Sequence, residues 1–362
     1  MNNLNVIGKF LDQPILVSKF QKRVPIILAS GALGYSLYDA NKAKEGKKKK
    51  QLLKTGITMG VTVASALAAP HIASKITKRA LPETLDIIKK KNTQIIDNFK
   101  RTTMVDETSS KILEKGKEKI LNLKEVKTLY AKLKDTNAGK SFLEKLIPSP
   151  ENINAKDIFS EIGYLSIYGA VPVIGGIIGG SIADRVTDKN GWREKIPNKI
   201  KEGSYQYLAN IFMCNVGAGC ALGIMEKLGI TSKKARAIGM TLGIIITGII
   251  GGSKIANLIG KNLIDPICIK DRKKKEITNN YDILDINFSE RKIHEYLHNQ
   301  TIECEVKTRK AEKERTPEIL DIGLHTDDIA TVSLLSGLKW IEPALPMMYT
   351  LSGYRAGIGY RN

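Results

Sequence analysis

The chain has 362 residues, with 57 Lys+Arg against 37 Asp+Glu and a formal net charge of +20. Its 42% hydrophobic and 6% aromatic content excludes a collagen-like or wholly disordered chain, and four Cys are too few for a disulfide framework. Apolar and charged residues nevertheless sit in separate blocks, which an average conceals.

In chain order, the first uncharged run is Val24–Tyr38, 15 residues long. The residues before it contain Lys9, Lys19, Lys22 and Arg23 and no apolar core of signal-peptide length. Tyr38-Asp39-Ala40 is a poor cleavage site, so the run is expected to be retained, either as the first of about five spans, for which it is short, or as an interfacial or re-entrant element. Longer runs follow: Thr55–Ser74 with 20 residues, Ile162–Ala183 with 22 and Gly203–Met225 with 23. Ala237–Ser253 has 17 and continues past Lys254 to Gly260. A helix needs roughly 20 apolar residues to cross a hydrocarbon core about 30 Å thick. Three runs reach that length, and the last does so if Lys254 snorkels. A soluble protein with buried core helices is the competing reading, but such helices rarely stay uncharged for so long.

Glycines recur at four-residue spacing within these runs. Gly175, Gly176, Gly179 and Gly180 are one set, Gly239/Gly243 and Gly248/Gly252 another, and Gly56/Gly60 a third. Lipid tails are as apolar as Leu, so membrane helices associate through close backbone contact, which small residues permit. The spacing therefore predicts a Gly-rich helix packing, a glycine zipper, and possible homo-oligomers through the same faces. Two segment pairs also match: Val24–Asp39 with Val171–Asp184, and Gly56–Gly60 with Gly239–Gly243. An internal duplication and shared composition both account for this.

The intervening blocks are polar and helical in period. Pro82 is placed at a first helical position, followed by Leu85, Ile88, Ile95, Ile96 and Phe99. Residues 111–134 read as one or two amphipathic helices that lie on each other, on a partner or on a membrane surface. The tail is read as a docked helix or an imperfect sixth span. The pattern divides the chain into 1–80, 81–160, 161–262, 263–325 and 326–362.

Every short loop is basic. Residues 40–54 carry seven Lys and residues 185–202 six Lys/Arg, so both are expected on the cytoplasmic side. Loop 226–236 carries four and would face the other way. Lys47, Lys48, Lys49 and Lys50 suit anionic lipid headgroups. A nucleic-acid site is disfavoured, because the Lys-rich stretch lacks interleaved aromatics.

One motif carries possible chemistry. His294-Glu295-Tyr296-Leu297-His298 is an H-E-x-x-H, which on a helix places two imidazoles on one face to bind Zn²⁺ with Glu295 as general base. Ser289 is a candidate N-cap for that helix, and His325, Glu318 or Asp327 a candidate third ligand. The charged flanks, Arg291-Lys292 among them, depart from the peptidase pattern, and two solvated His on a polar helix face are the simpler reading. Ala138-Gly139-Lys140-Ser141 lacks the first Gly of a P-loop. No Asp or Glu falls inside the long runs, which argues against an ion-coupled transporter. His71 is expected at the interface.

The expectation is an all-α, polytopic membrane protein with amphipathic polar blocks, in the cell membrane, structural or permeation-related, without cofactor and non-enzymatic. The alternatives are a zinc metallopeptidase using His294, Glu295 and His298, and a soluble helical protein on anionic membranes. The peptidase reading requires about one Zn per purified chain that is lost in His294→Ala; a metal-free protein would end it.

Overall fold

The computed structural model describes residues 3–148, 155–264, 266, 326–336 and 338–359, and among these every regular element is helical. Short α1 (Asn3–Leu11) leads into α2 (Pro14–Lys42), which turns back into α3 (Lys48–Thr77). A polar domain follows: α4 (Leu85–Thr102), α5 (Glu107–Glu118), α6 (Leu123–Leu133) and α7 (Asn137–Leu146). The chain then runs through α8 (Ala155–Thr187) and α9 (Trp192–Lys227). Next comes α10, α-helical over Lys233–Ile244 and Ser253–Ile259 and π-helical over Ile245–Gly252 and Gly260–Ile264. Two shorter helices, α11 (Thr326–Leu335) and α12 (Leu345–Ile358), close the chain.

Four helices are long and apolar enough to cross a membrane: Lys48–Thr77, Ile158–Thr187, Trp192–Lys227 and Ala235–Ile264. Each has 30 or more residues, so each extends about 45 Å or more. The helices outrun the uncharged runs that mark them, and charged residues at the run ends are thereby drawn into the bundle. The Val24–Tyr38 run is the middle of α2, a 29-residue helix against α3, not a short separate element. The tail docks: α12 has 14 residues, fewer than a crossing needs, and packs on α3, α8 and α9.

The register of the contacts gives the helix directions. Gly179 meets Thr58 and Val61 while Gly175 meets Ser65, so α8 is antiparallel to α3. Gly176 lies on Gly353 and Gly180 on Gly357, so α12 runs parallel to α8. Ile177 meets Gly203, and Ile162 meets Gly219, which makes α9 antiparallel to α8; Gly217 against Gly243 and Ala209 against Gly252 make α10 antiparallel to α9. The four glycines of α8 thus serve two neighbours, α3 and α12. At each, a Cβ would press on the backbone or a side chain of the neighbouring helix. The two segments with matching sequences, α2 and α8, both carry an internal Pro and both flank the start of α3. Asp39 accepts hydrogen bonds from Gln51 and Thr55, and Asp184 pairs with Lys54.

The polar domain has a core of its own, in which Ile96, Leu113, Val126, Leu129, Phe99 and Phe142 are buried, the last two stacked at 4.0 Å. Its amphipathic helices therefore lie on each other. Residues 111–134 form two helices, because Asn122 and Glu125 make a reciprocal capping box that starts α6. Asp106 caps α5, and the ammonium of Lys132 with Ser109 holds its carboxyl well below the usual carboxylate range. Thr136 caps α7 by accepting from the Gly139 N–H, which accounts for the Gly-Lys-Ser stretch without a phosphate site. Helix α4 begins at Leu85 after Thr84, so Pro82 precedes the helix and does not open it. Gln13, buried, exchanges two 2.9 Å hydrogen bonds with the Leu121 backbone and fastens the start of α2 to this domain.

Gly176→Val drives a branched side chain into the Gly353 backbone. We expect it to destabilise the protein by about 3 kcal/mol. Gly34 has open space around its Cα. Gly34→Ala should be neutral or stabilising by about 0.5–1 kcal/mol, through helix propensity. Thermal unfolding in a mild detergent compares the two, and equal effects would show that the α8–α12 contact is not tight.

Candidate functional site

Two arrangements concentrate polar groups among the described residues. The first is a row along α9. Lys199, Glu202, Gln206, Asn210 and Asn215 are each no more than 3% exposed. The steps of three and four place the first four on one helix face. The last step is five, and it spans the π-helical turn Leu208–Phe212, whose i→i+5 bonding accommodates one extra residue. The row extends about 24 Å along the helix.

Each charge in the row meets an opposite one from another helix. Asp184 of α8, 1% exposed, lies 2.8 Å from the Lys199 ammonium and 2.8 Å from that of Lys54 on α3. Lys199 also donates to the Gly357 carbonyl of α12 at 2.8 Å. Glu202 pairs with Arg355 of α12 at 3.3 Å and accepts from Gln206 at 2.8 Å. Gln206 in turn accepts from Asn210 at 2.8 Å. Farther along, Thr331 of α11 donates to the Asn215 side-chain carbonyl oxygen at 2.8 Å, while the Asn215 Nδ2 is buried without a partner among the described residues. Removing one member of such a pair leaves a buried charge, which costs several kcal/mol.

The second arrangement is a cleft of about 610 Å³ where α2, α3 and α8 meet the polar domain. Seven of the chain's twelve prolines line it, including Pro25 within α2 and Pro70 within α3. Arg79, just past α3, closes one wall. Its guanidinium lies 3.2 Å from Glu161, 3.6 Å from Glu342 and 4.1 Å from the centre of the Tyr164 ring. Asp12, which accepts from the Trp340 N–H at 3.2 Å, and Glu83 also face the space.

The residues singled out from sequence fall apart from both arrangements. His294, Glu295, His298, His325 and Glu318 lie outside the described residues, as do Ser289 and the rest of that motif. Asp327 is in the first turn of α11. His71 is exposed and lines the cleft. Lys47–Lys50 are exposed at the α2–α3 turn. The loop between α8 and α9 is at the same end of the bundle, since Asp184 pairs with Lys54 there. Sequence reasoning missed the row because it counted carboxylates only inside uncharged runs. Asp184 directly follows one run and Glu202 directly precedes another, so both escaped the count while their helices carry them into the bundle. The usable signal was the spacing 199, 202, 206, 210 of long polar side chains, one helix face that continues from a charged segment into an uncharged run. Comparison with family models, with curated proteins and with solved structures finds no match.

Asp184→Asn leaves the Lys199 ammonium buried without its counter-charge, and we expect a loss of about 3–5 kcal/mol. The Asp184→Asn/Lys199→Met double variant should recover much of that loss. Strictly additive losses in detergent unfolding would show that the pair is not coupled.

Proposed function

We propose that the chain is a non-enzymatic integral membrane scaffold. Its bundle anchors the α4–α7 domain at one membrane face and holds the basic loops 40–54 and 185–202 at the other. The carrying observation is the set of buried ion pairs, Asp184 with Lys54 and Lys199 and Glu202 with Arg355, which ties α3, α8, α9 and α12 into one unit. Charges so enclosed favour one helix arrangement, since an alternative packing exposes them unpaired to lipid. The glycine faces act as the zipper that brings the backbones close. The loops with Lys47, Lys48, Lys49 and Lys50 and with Lys189 and Arg193 sit together, a charge bias that supports a cytoplasmic side of a cell membrane and anionic headgroups for this end.

The test is the sidedness of the assembled protein. In a background with its four native cysteines replaced by Ala, Lys49→Cys and Lys124→Cys variants are exposed to a membrane-impermeant maleimide in sealed cells. Labelling of Lys124→Cys alone is expected, together with retention of the protein in membranes after an alkaline carbonate wash. Release by the wash, or equal labelling of both, overturns the reading.

A permeation role is the second reading, favoured by the length of the α9 row and by the unpartnered Asn215 Nδ2 along it. It predicts ion or proton flux into proteoliposomes that falls in Gln206→Leu. Sealed vesicles without flux above protein-free controls exclude it.

A further inference from the structure

We propose that the outward face of α8 holds one anionic phospholipid. An acyl chain lies along a column of branched side chains, and the phosphate sits on Arg185 and Arg193 beside Trp192. The inference deepens the headgroup contact proposed for this end and rests on the chain being embedded in a membrane. It does not depend on which side of the membrane the end faces.

The face is defined by what covers the rest of α8. Gly175 and Gly179 turn to α3, Gly176 and Gly180 to α12, and Ile177 to α9. The remaining side carries Ile174, Ile178, Ile182 and Val186, all exposed and four residues apart. The column runs about 18 Å. Side chains at that spacing form a ridge with a groove beside it, and an extended hydrocarbon chain fits such a groove. Arg185 stands seven residues after Ile178 and three after Ile182, so the helix returns it to the same face at the end of the column.

The head end carries cations that no acid neutralises. The guanidinium groups of Arg185 and Arg193 lie 5.6 and 5.5 Å from the centre of the Trp192 ring. Stacking engages the flat face of a guanidinium and leaves its N–H edge free, and that edge is what forks a phosphate. Both arginines are exposed, and among the described residues neither pairs with a carboxylate. Asp188, the acid between them in sequence, is held by Lys195 at 2.6 Å and accepts from the Gly191 N–H. Glu194 has an interaction of its own. Lys189 is exposed in the same loop, and the Lys54–Asp184 pair brings the Lys47–Lys50 turn alongside. An anion therefore meets an excess of positive charge here. Trp192 suits the same level, since indoles settle where acyl chains give way to headgroups. A phospholipid satisfies the column and the cations together, whereas a free phosphate or a nucleic acid uses only the cations.

The experiment measures thermal unfolding of the full chain in a nonionic detergent with dioctanoyl phosphatidylglycerol, dioctanoyl phosphatidylcholine or glycerol phosphate at matched concentration. A ligand that binds only the folded state raises the Tm. Phosphatidylglycerol is expected to raise it, phosphatidylcholine less, and glycerol phosphate, a head without a tail, not at all. Arg193→Gln removes the charge and the fork, and it should weaken phosphatidylglycerol binding about ten-fold. Arg101→Gln removes an equal charge from the exposed surface of α4 and should leave the shift unchanged, which separates a site from diffuse attraction. Photo-crosslinking of the unmodified protein by a phosphatidylglycerol with a diazirine in its acyl chain reports the place independently of any variant. Labels on residues 174–193 support the site. Equal shifts for the two lipids, an equal shift with glycerol phosphate, equal weakening by Arg101→Gln, or labels confined elsewhere overturn it. Those results sink the lipid site alone, whereas release by the carbonate wash sinks the membrane reading beneath it.

Discussion

The bundle depends on one carboxylate. Asp184 sits near the end of α8, almost wholly enclosed, and takes ammonium groups from α3 and α9 at the same distance. Because Lys199 also reaches the last turn of α12, four helices are fixed around a single negative charge. In apolar surroundings an ionised group is tolerated only when paired and hydrogen-bonded, so every arrangement of these helices that separates the pairs is strongly disfavoured. The glycine contacts of α8 depend on that fixed register. Gly176 can meet Gly353 and Gly180 can meet Gly357 only while α12 lies parallel and in step. Electrostatics thus selects the arrangement, and backbone-close packing supplies contact area once it is selected.

The molecule combines two ways of burying apolar surface. The long helices present exposed Ile and Leu on outward faces, as along α10 at Ile238, Leu242, Ile246 and Ile250. Such a face suits a lipid solvent, where the interior of the bundle is the place for polar groups. The α4–α7 domain obeys the opposite logic, with aromatic and aliphatic side chains inward and ion pairs such as Lys100–Glu114 and Lys115–Glu125 on its surface. Exposed pairs of that kind contribute little stability each and mainly keep the domain soluble. The cleft lies where α2, α3 and α8 meet that domain.

The helical class, the four long apolar helices and the amphipathic blocks were legible because each leaves a local signature: run length, period and capping residues. The capping box at Asn122 and the Asp106 cap are readable in the sequence in hindsight, since caps act over three residues. The extent of the helices was less legible. Uncharged runs understate helices whose ends carry charges that find partners, which is why α2 looked short and why Asp184 and Glu202 looked like loop residues. The cleft left no sequence trace, because its walls come from segments more than 300 residues apart, from Asp12 to Pro346.

By itself the sequence determined what is local: which stretches are helical, which of them suit lipid, where the polar domain begins, and that glycines recur one helical turn apart. Those properties depend on neighbours within a few residues, through backbone geometry and side-chain solvation. Only the tertiary structure decided which charges become partners, which glycine faces meet, and that a cleft opens between the long helices and the polar domain. Pairing and enclosure depend on helix direction and register across the whole chain, and no window of residues contains that information.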